Sequence, residues 1–304
     1  MGTLEAAISM NHVSKSFGKL RALDDVSMDV PAGSVFGYIG PNGAGKTTTL
    51  RLLLDLIRPD SGTIRVLGMD PAREGRSIRA QVGYLPGELT LWPRMSVRSA
   101  LTHLAAMRGM HDLTFMHELA DRFSLTLDRH VGDLSKGNRQ KIGIIQAFMH
   151  RPKLLLLDEP TGGLDPLMQR TFYGLVRDTC ADGASVVVSS HVLTEVDRIA
   201  HRVGIIREGR IVAVDDVANL TRSMPTVITV HFGRAVEPSA MDGVAGVEVD
   251  PQLDTHELRM QIRDNIPGVL RRLADLDAVG VEAHRGDLEQ LFLQYYQPDN
   301  GAGS

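Results

Sequence analysis

VFGYIGPNGAGKTTTL, Val35 to Leu50, is the stretch on which the fold turns. Its first five residues, Val35 to Ile39, carry no charge and no proline, as a strand buried on both faces does. GPNGAGKT, Gly40 to Thr47, then fits the spacing G-x-x-x-x-G-K-[S/T], and the residues after Lys46 predict a helix over Lys46 to Leu56. Glycines in such a loop leave room for successive backbone N–H groups to turn onto phosphate oxygens, and the start of the helix adds partial positive charge. One helix end supplies only about 0.3 to 1 kcal/mol, so several N–H groups and a full charge must converge. Lys46 supplies that charge for β and γ phosphates, and the Thr47 hydroxyl is placed to ligate Mg²⁺.

The same alternation continues outward from this motif. Short apolar runs at Val82 to Leu85, Leu154 to Leu157, Val186 to Val188 and Val203 to Ile206 read as buried strands. Between them, helices are predicted at Val97 to Arg108, Phe115 to Phe123, Asn138 to His150, Pro166 to Cys180 and Leu193 to Ile199. The pattern predicts an α/β domain with a mainly parallel sheet over residues 1–216. Residues 89–150 contain successive helical segments without a strand, and are read as a helical subdomain inserted into that domain. After residue 216 the rhythm changes to a small α+β appendage over 217–296: strands TVITVHF, Leu258 to Ile262 and Val279 to Ala283, with helices Val269 to Leu276 and Asp287 to Tyr296. The ending QPDNGAGS, 297–304, is expected to be disordered.

LLLLDEP, Leu154 to Pro160, brings two acids to the C-terminal end of an apolar strand, where open α/β sheets bind ligands. A buried carboxylate needs a partner. Mg²⁺ suits Asp158, which leaves Glu159 to orient and deprotonate a water. An acid pair capping the next turn is the plainer reading, and the phosphate loop weighs against it.

Composition removes whole classes of function. With 304 residues the chain has room for roughly two domains, and its single cysteine, Cys180, rules out an internal disulfide framework. No run approaches the about 18 apolar residues of a membrane span, and the start MGTLEAAISMNHVSK lacks a basic segment followed by an apolar block. Residues from 217 onward hold 7 basic against 13 acidic side chains and the whole chain has a net charge of −4, so nucleic acid is not expected as a partner.

The phosphate loop and acid pair are joined by LSKGNRQ at Leu134 to Gln140 and SSH at Ser189 to His191. Together the four motifs resemble, over residues 8–216, the ATPase subunit of an ATP-binding cassette (ABC) transporter, a P-loop NTPase fold. The resemblance implies ATP and Mg²⁺ as cofactors, with the nucleotide held by Gly40, Pro41, Asn42, Gly43, Ala44, Gly45, Lys46, Thr47 and Thr48, and with Phe17 stacked on adenine. It implies catalytic roles for Lys46, Glu159 and His191, the last on the γ-phosphate, and metal ligation by Thr47 and Asp158. Ser135 and Gly137 would bind the nucleotide of a second ATPase subunit, and Asp165 would communicate across that dimer. Seen singly, Phe17 could be core, Ser135 a helix cap and His191 a satisfied polar group.

The chain departs from the family pattern in two places. Where the family often has YLPQ, it reads YLPGE, so Gly87 takes the place of the glutamine, and Glu88 is the candidate substitute at the metal. The signature carries Lys136 for a glycine and Asn138 for a glutamine. This LSKGN form, with DLEQLFLQYY from Asp287, resembles the ATPases of ABC-2 type drug and antibiotic exporters. The implied protein is a dimeric ATPase, peripheral at the cytoplasmic face of the cell membrane, that powers export through a separate ABC-2 type permease seated around Glu88 to Arg98. The rivals are a non-transport ABC ATPase, and a resistance or interaction protein that binds nucleotide without pumping.

Overall fold

The computed structural model describes residues 6–222, 226–250, 254–263 and 265–285. The chain divides into two compact units, Met1–Asp215 and Asp216–Ser304.

The first unit runs β1 (Ala6–Phe17), β2 (Leu20–Pro31), β3 (Val35–Ile39), α1 (Lys46–Leu53), β4 (Ser61–Val66), α2 (Pro71–Gln81), β5 (Val82–Leu85) and α3 (Val97–Met107). It continues through α4 (Thr114–Arg122), α5 (Lys136–Phe148), β6 (Leu154–Asp158), α6 (Pro166–Ala181), β7 (Ser185–Ser190), α7 (Leu193–Asp197), β8 (Arg202–Arg207) and β9 (Arg210–Asp216). Six strands form one sheet in the order β5-β6-β7-β3-β8-β9, and β5, β6, β7, β3 and β8 are mutually parallel. Parallel neighbours share an orientation, so the C-terminal ends of β5, β6, β7 and β3 open on one edge. That edge receives Gly87, Asp158, His191 and the glycine loop.

The four leucines of β6 are buried because the sheet is covered on both faces. Leu155 and Leu157 point into a core with α3, α4, α5 and α6, whereas Leu154 and Leu156 point into one built with α1, β1 and β2. In the first core the rings of Phe148 and Phe172 meet edge to face at 6.5 Å, each fully buried and each worth about 1.5 to 3 kcal/mol by area alone. No strand separates the helices between Leu89 and His150.

The expectation of a mainly parallel sheet omits a second layer. β1, β2 and β4 form an antiparallel sheet in the order β2-β1-β4. Val26, Met28 and Val30 alternate inward along β2 as period two requires, but four register shifts break the β1–β2 pairing and blur the pattern in β1. Helix α1 stops at Leu53 rather than Leu56, because Asp55 turns to φ 53° and Leu56 N–H bonds back to the Arg51 carbonyl. Helix α5 starts at Lys136, two residues before the expected Asn138, because Ser135 caps it by accepting from Asn138 N–H at 3.3 Å.

One half-buried histidine just past α5 ties that helix to the sheet. His150 Nε2 lies 3.2 Å from the Val82 carbonyl and 3.0 Å from Arg108 Nη1, and its Nδ1 is buried without a hydrogen bond. Burial first, and the Arg108 charge second, push its pKa from 6.5 down to about 4. The unfolded chain therefore takes up this proton first as pH falls, so folding stability drops from pH 6.5 to about 4 and levels off below. Chemical unfolding of a His150→Gln variant across that window should show a shallower pH slope than the parent, and an identical slope would assign the acid sensitivity to other groups.

The second unit contains α8 (Val217–Arg222), β10 (Thr226–Phe232), β11 (Val247–Val249), β12 (Glu257–Ile262), α9 (Ile266–Asp275) and β13 (Ala278–Arg285). Its four strands are antiparallel in the order β11-β12-β10-β13, and Val230, Phe232, Leu258, Met260, Val269 and Leu273 fill its core. The expected strands and the helix near Val269 are present, while the three-residue β11 is too short to show a period. The expected helix Asp287 to Tyr296 and the tail 297–304 lie outside the described residues. Among the described residues no helix is long and apolar enough to cross a membrane.

Candidate nucleotide site

Gly45 ends the loop at φ 111°, a left-handed setting, and a Cβ there would lie 2.6 Å from Leu23 Cδ2 and 2.7 Å from the Ala22 carbonyl. Only glycine fits that approach. Ala44 is buried, with its N–H on the Pro41 carbonyl at 3.2 Å, and this folds the loop over the start of α1. Lys46 is 6% exposed; its Nζ donates to the Gly40 carbonyl at 2.6 Å and the Pro41 carbonyl at 3.1 Å. Glu159 Oε1 is 3.5 Å away. Burial pushes the Lys46 pKa down, and the carboxylates of Glu159 and Asp158 oppose that shift.

Asp158 ends β6 at 2% exposure, and two hydroxyls hold its carboxylate. Thr47 Oγ1 donates to Oδ2 at 2.7 Å, and Ser189 Oγ, from the neighbouring β7, donates to Oδ1. A carboxylate so deeply buried needs these donors and the nearby ammonium. Thr47 Oγ1 and Asp158 Oδ2 make an oxygen pair of the hard type that Mg²⁺ selects, in a site where one or two protein ligands are completed by phosphate and water.

Glu159 adopts φ 49°, a conformation that costs a side-chain-bearing residue about 1 kcal/mol or more. Its N–H bonds the Ser189 carbonyl at 3.1 Å, its Oε2 meets His191 Nδ1 at 2.8 Å, and its Oε1 has no hydrogen bond. The strand end thus turns the second acid away from the first. One carboxylate is held by hydroxyls, and the other faces Lys46 and His191.

Two adjoining cavities cover this ground. The first, about 320 Å³, is lined by Phe17, Asn42, Gly43, Gly45, Lys46, Thr47, Thr48, Gly87, Asp158 and Glu159 among others. Phe17 stands 47% exposed at the β1–β2 turn, with Lys15 Nζ 5.6 Å from the centre of its ring. The second, about 550 Å³, shares Asn42, Gly87 and Glu159 and adds Glu88, Lys136, Arg139, Gln140 and His191. Of the expected metal ligands, Thr47 and Asp158 line the first cavity together, and Glu88 lines only the second. Gly87 is the residue of that loop beside Asp158, where an added Cβ would lie 3.3 Å from Oδ2.

Ser135, Gly137 and Asp165 line neither cavity. Ser135 caps α5, and Asp165 Oδ1 accepts from Leu167 N–H at 3.0 Å and Met168 N–H at 2.9 Å to cap α6. Ser189 and Gln140 are the site residues that motif reading passed over. A serine ending an otherwise apolar strand beside the acid strand was the signal available for Ser189.

The ABC transporter family model matches residues 23–162. An uncharacterized ABC transporter ATP-binding protein of Bacillus subtilis (strain 168) is 36% identical over 276 residues, 89% of this chain and 87% of its own length. A daunorubicin resistance ATP-binding protein of Streptomyces coeruleorubidus is 33% identical over 307 residues, 95% of this chain and 94% of its own length. Among solved structures, the ATP-binding subunit of an ABC transporter superposes with a TM-score of 0.67 at 28% identity, covering 71% of this chain and 92% of that one. A strand, glycine loop and helix that aim a buried lysine at two acids, together with these likenesses, show that the chain belongs to the ABC transporter family as an ATP-binding, ATP-hydrolysing subunit.

Proposed function

We propose that this chain works as a dimer closing over ATP and Mg²⁺, and that it drives export through a separate ABC-2 type permease at the cytoplasmic face of the cell membrane. The observation that carries the dimer is the split of the site: Lys46, Thr47, Asp158, Glu159 and His191 line the cavities, whereas Ser135 and Gly137 line neither. A helix start bearing a hydroxyl and a glycine is an anion site whichever chain supplies the anion. The likeness to the daunorubicin resistance protein supports export, because it extends past residue 216 through the second unit.

Within the site, Lys46 and the loop N–H groups hold the β and γ phosphates, and Phe17 takes the adenine. Thr47 and Asp158 hold the metal ion, which supplies charge neutralisation at the phosphate oxygens. Glu159 accepts a proton from the attacking water, and His191 keeps that carboxylate oriented while facing the γ-phosphate. The stretch from Glu88 to Arg98, in which Glu88, Trp92, Arg94 and Arg98 are exposed and Trp92 is 43% so, is the seat of the permease.

Tagged Glu159→Gln protein, purified from detergent-solubilised membranes of the source cells with ATP and Mg²⁺, should bring down a polytopic membrane protein in stoichiometric amount, identified by mass spectrometry. Recovery of the chain alone, or with ribosomal or DNA-repair proteins, would favour a non-transport ABC ATPase instead.

A further inference from the structure

We propose that Gln140 is a positioning residue for Glu159, through which the first turn of α5 sets the geometry of the acid that orients water. Gln140 is 7% exposed, and its Nε2 donates to the Pro160 carbonyl at 2.9 Å and to the Glu159 carbonyl at 3.2 Å. These are the carbonyls of the two successive peptides that follow Glu159, which stands in a left-handed conformation. The other backbone bonds on Glu159 are its own N–H to the Ser189 carbonyl and a long one, 3.3 Å, from Gly162 N–H to its carbonyl. The Gln140 amide, helped by the long Gly162 bond, therefore anchors the C-terminal side of a conformation that the chain does not favour by itself.

The residue type matches the task. A primary amide has two N–H bonds on one nitrogen, enough for both carbonyls. Glutamate, of the same shape, would set a carboxylate against two carbonyl oxygens, and leucine would leave both with fewer donors in a buried place.

The anchor also has a direction. Gln140 sits one turn after Gly137, whose own Cβ would lie 2.3 Å from the Gly163 carbonyl, so the first turn of α5 rests on the backbone that follows the acid. Lys136, on the same turn, lines the cavity that Glu159 shares. Contact made by this turn with a nucleotide on a second subunit is thereby linked to the carboxylate of its own chain. The inference rests on the reading of Glu159 given above.

The test is a double-mutant cycle on the purified full-length chain, with kcat and KM for ATP hydrolysis, titration with a fluorescent ATP analogue, and thermal unfolding. Gln140→Leu and Gln140→Glu should each lower kcat by roughly 10- to 100-fold, the loss produced by misplacing a catalytic group by about 1 Å, while KM and analogue binding stay within about twofold. In the Glu159→Gln background the same substitutions should cause no further loss, because no carboxylate remains to be positioned. Gln140→Glu preserves volume and serves if the leucine variant does not fold. A wild-type kcat in the Gln140 variants, or an equal loss in both backgrounds, overturns the positioning role alone. A wild-type rate in Glu159→Gln by itself overturns the reading of Glu159 as well.

Discussion

Glu159→Gln is expected to lower steady-state ATP hydrolysis by roughly 10² or more, the loss seen when one transition-state contact is removed, and to leave ATP binding intact. The substitution keeps the shape of the side chain, and an amide can still meet His191, 2.8 Å from Oε2 in the parent. What it removes is the capacity to accept a proton from water. Lys46 keeps its two carbonyl partners on the loop, and Thr47 keeps its bond to Asp158. An ATP-bound dimer should therefore accumulate, visible as a doubled mass by light scattering with ATP and Mg²⁺ and absent with ADP. Unchanged turnover would place the base elsewhere, and His191 would then be the group to replace.

Lys46→Met should weaken binding of a fluorescent ATP analogue on the order of 10²-fold and abolish measurable hydrolysis, as loss of a preorganised charge in a dry site does. The ammonium has three duties at one point: it holds the Gly40 and Pro41 carbonyls, faces Glu159 at 3.5 Å and presents the only full positive charge among the loop residues 40–47. Methionine fills similar space but leaves both carbonyls without that donor and the carboxylates of Glu159 and Asp158 without the charge of Lys46. Lys46→Arg should not restore binding, because a planar guanidinium does not fit a niche shaped for a compact ammonium that is 6% exposed. Binding within threefold of the parent in Lys46→Met would show that the loop N–H groups suffice without the charge.

The parts of the site written in one continuous stretch are legible in the sequence. Gly40 to Thr47 encodes its own geometry, since a φ of 111° at Gly45 and the step into α1 are local demands on the backbone. Leu154 to Asp158 declares itself likewise, by an apolar run that ends in an acid. Residues joined across elements were less legible. Ser189 meets Asp158 only because β7 pairs with β6 in a register that sets the two side by side, 31 positions apart in sequence. Gln140 reaches Glu159 because α5 packs its first turn on the loop after β6, and the motif that contains it, LSKGNRQ, points to a phosphate instead.

Residue type and local spacing by themselves determined the phosphate loop, the acid pair, the α/β alternation and the change of rhythm after residue 216. These properties depend on neighbours within a turn or a strand, where sterics and hydrophobic period act directly. Tertiary structure decided which side chains share a cavity. It set Gly87 rather than Glu88 beside Asp158, kept Ser135 and Gly137 out of both cavities, and drew Glu159 between Lys46 and His191. The reason is physical: strand order and register bring together groups far apart in sequence, and a shift of one residue would turn a side chain to the opposite face of the sheet.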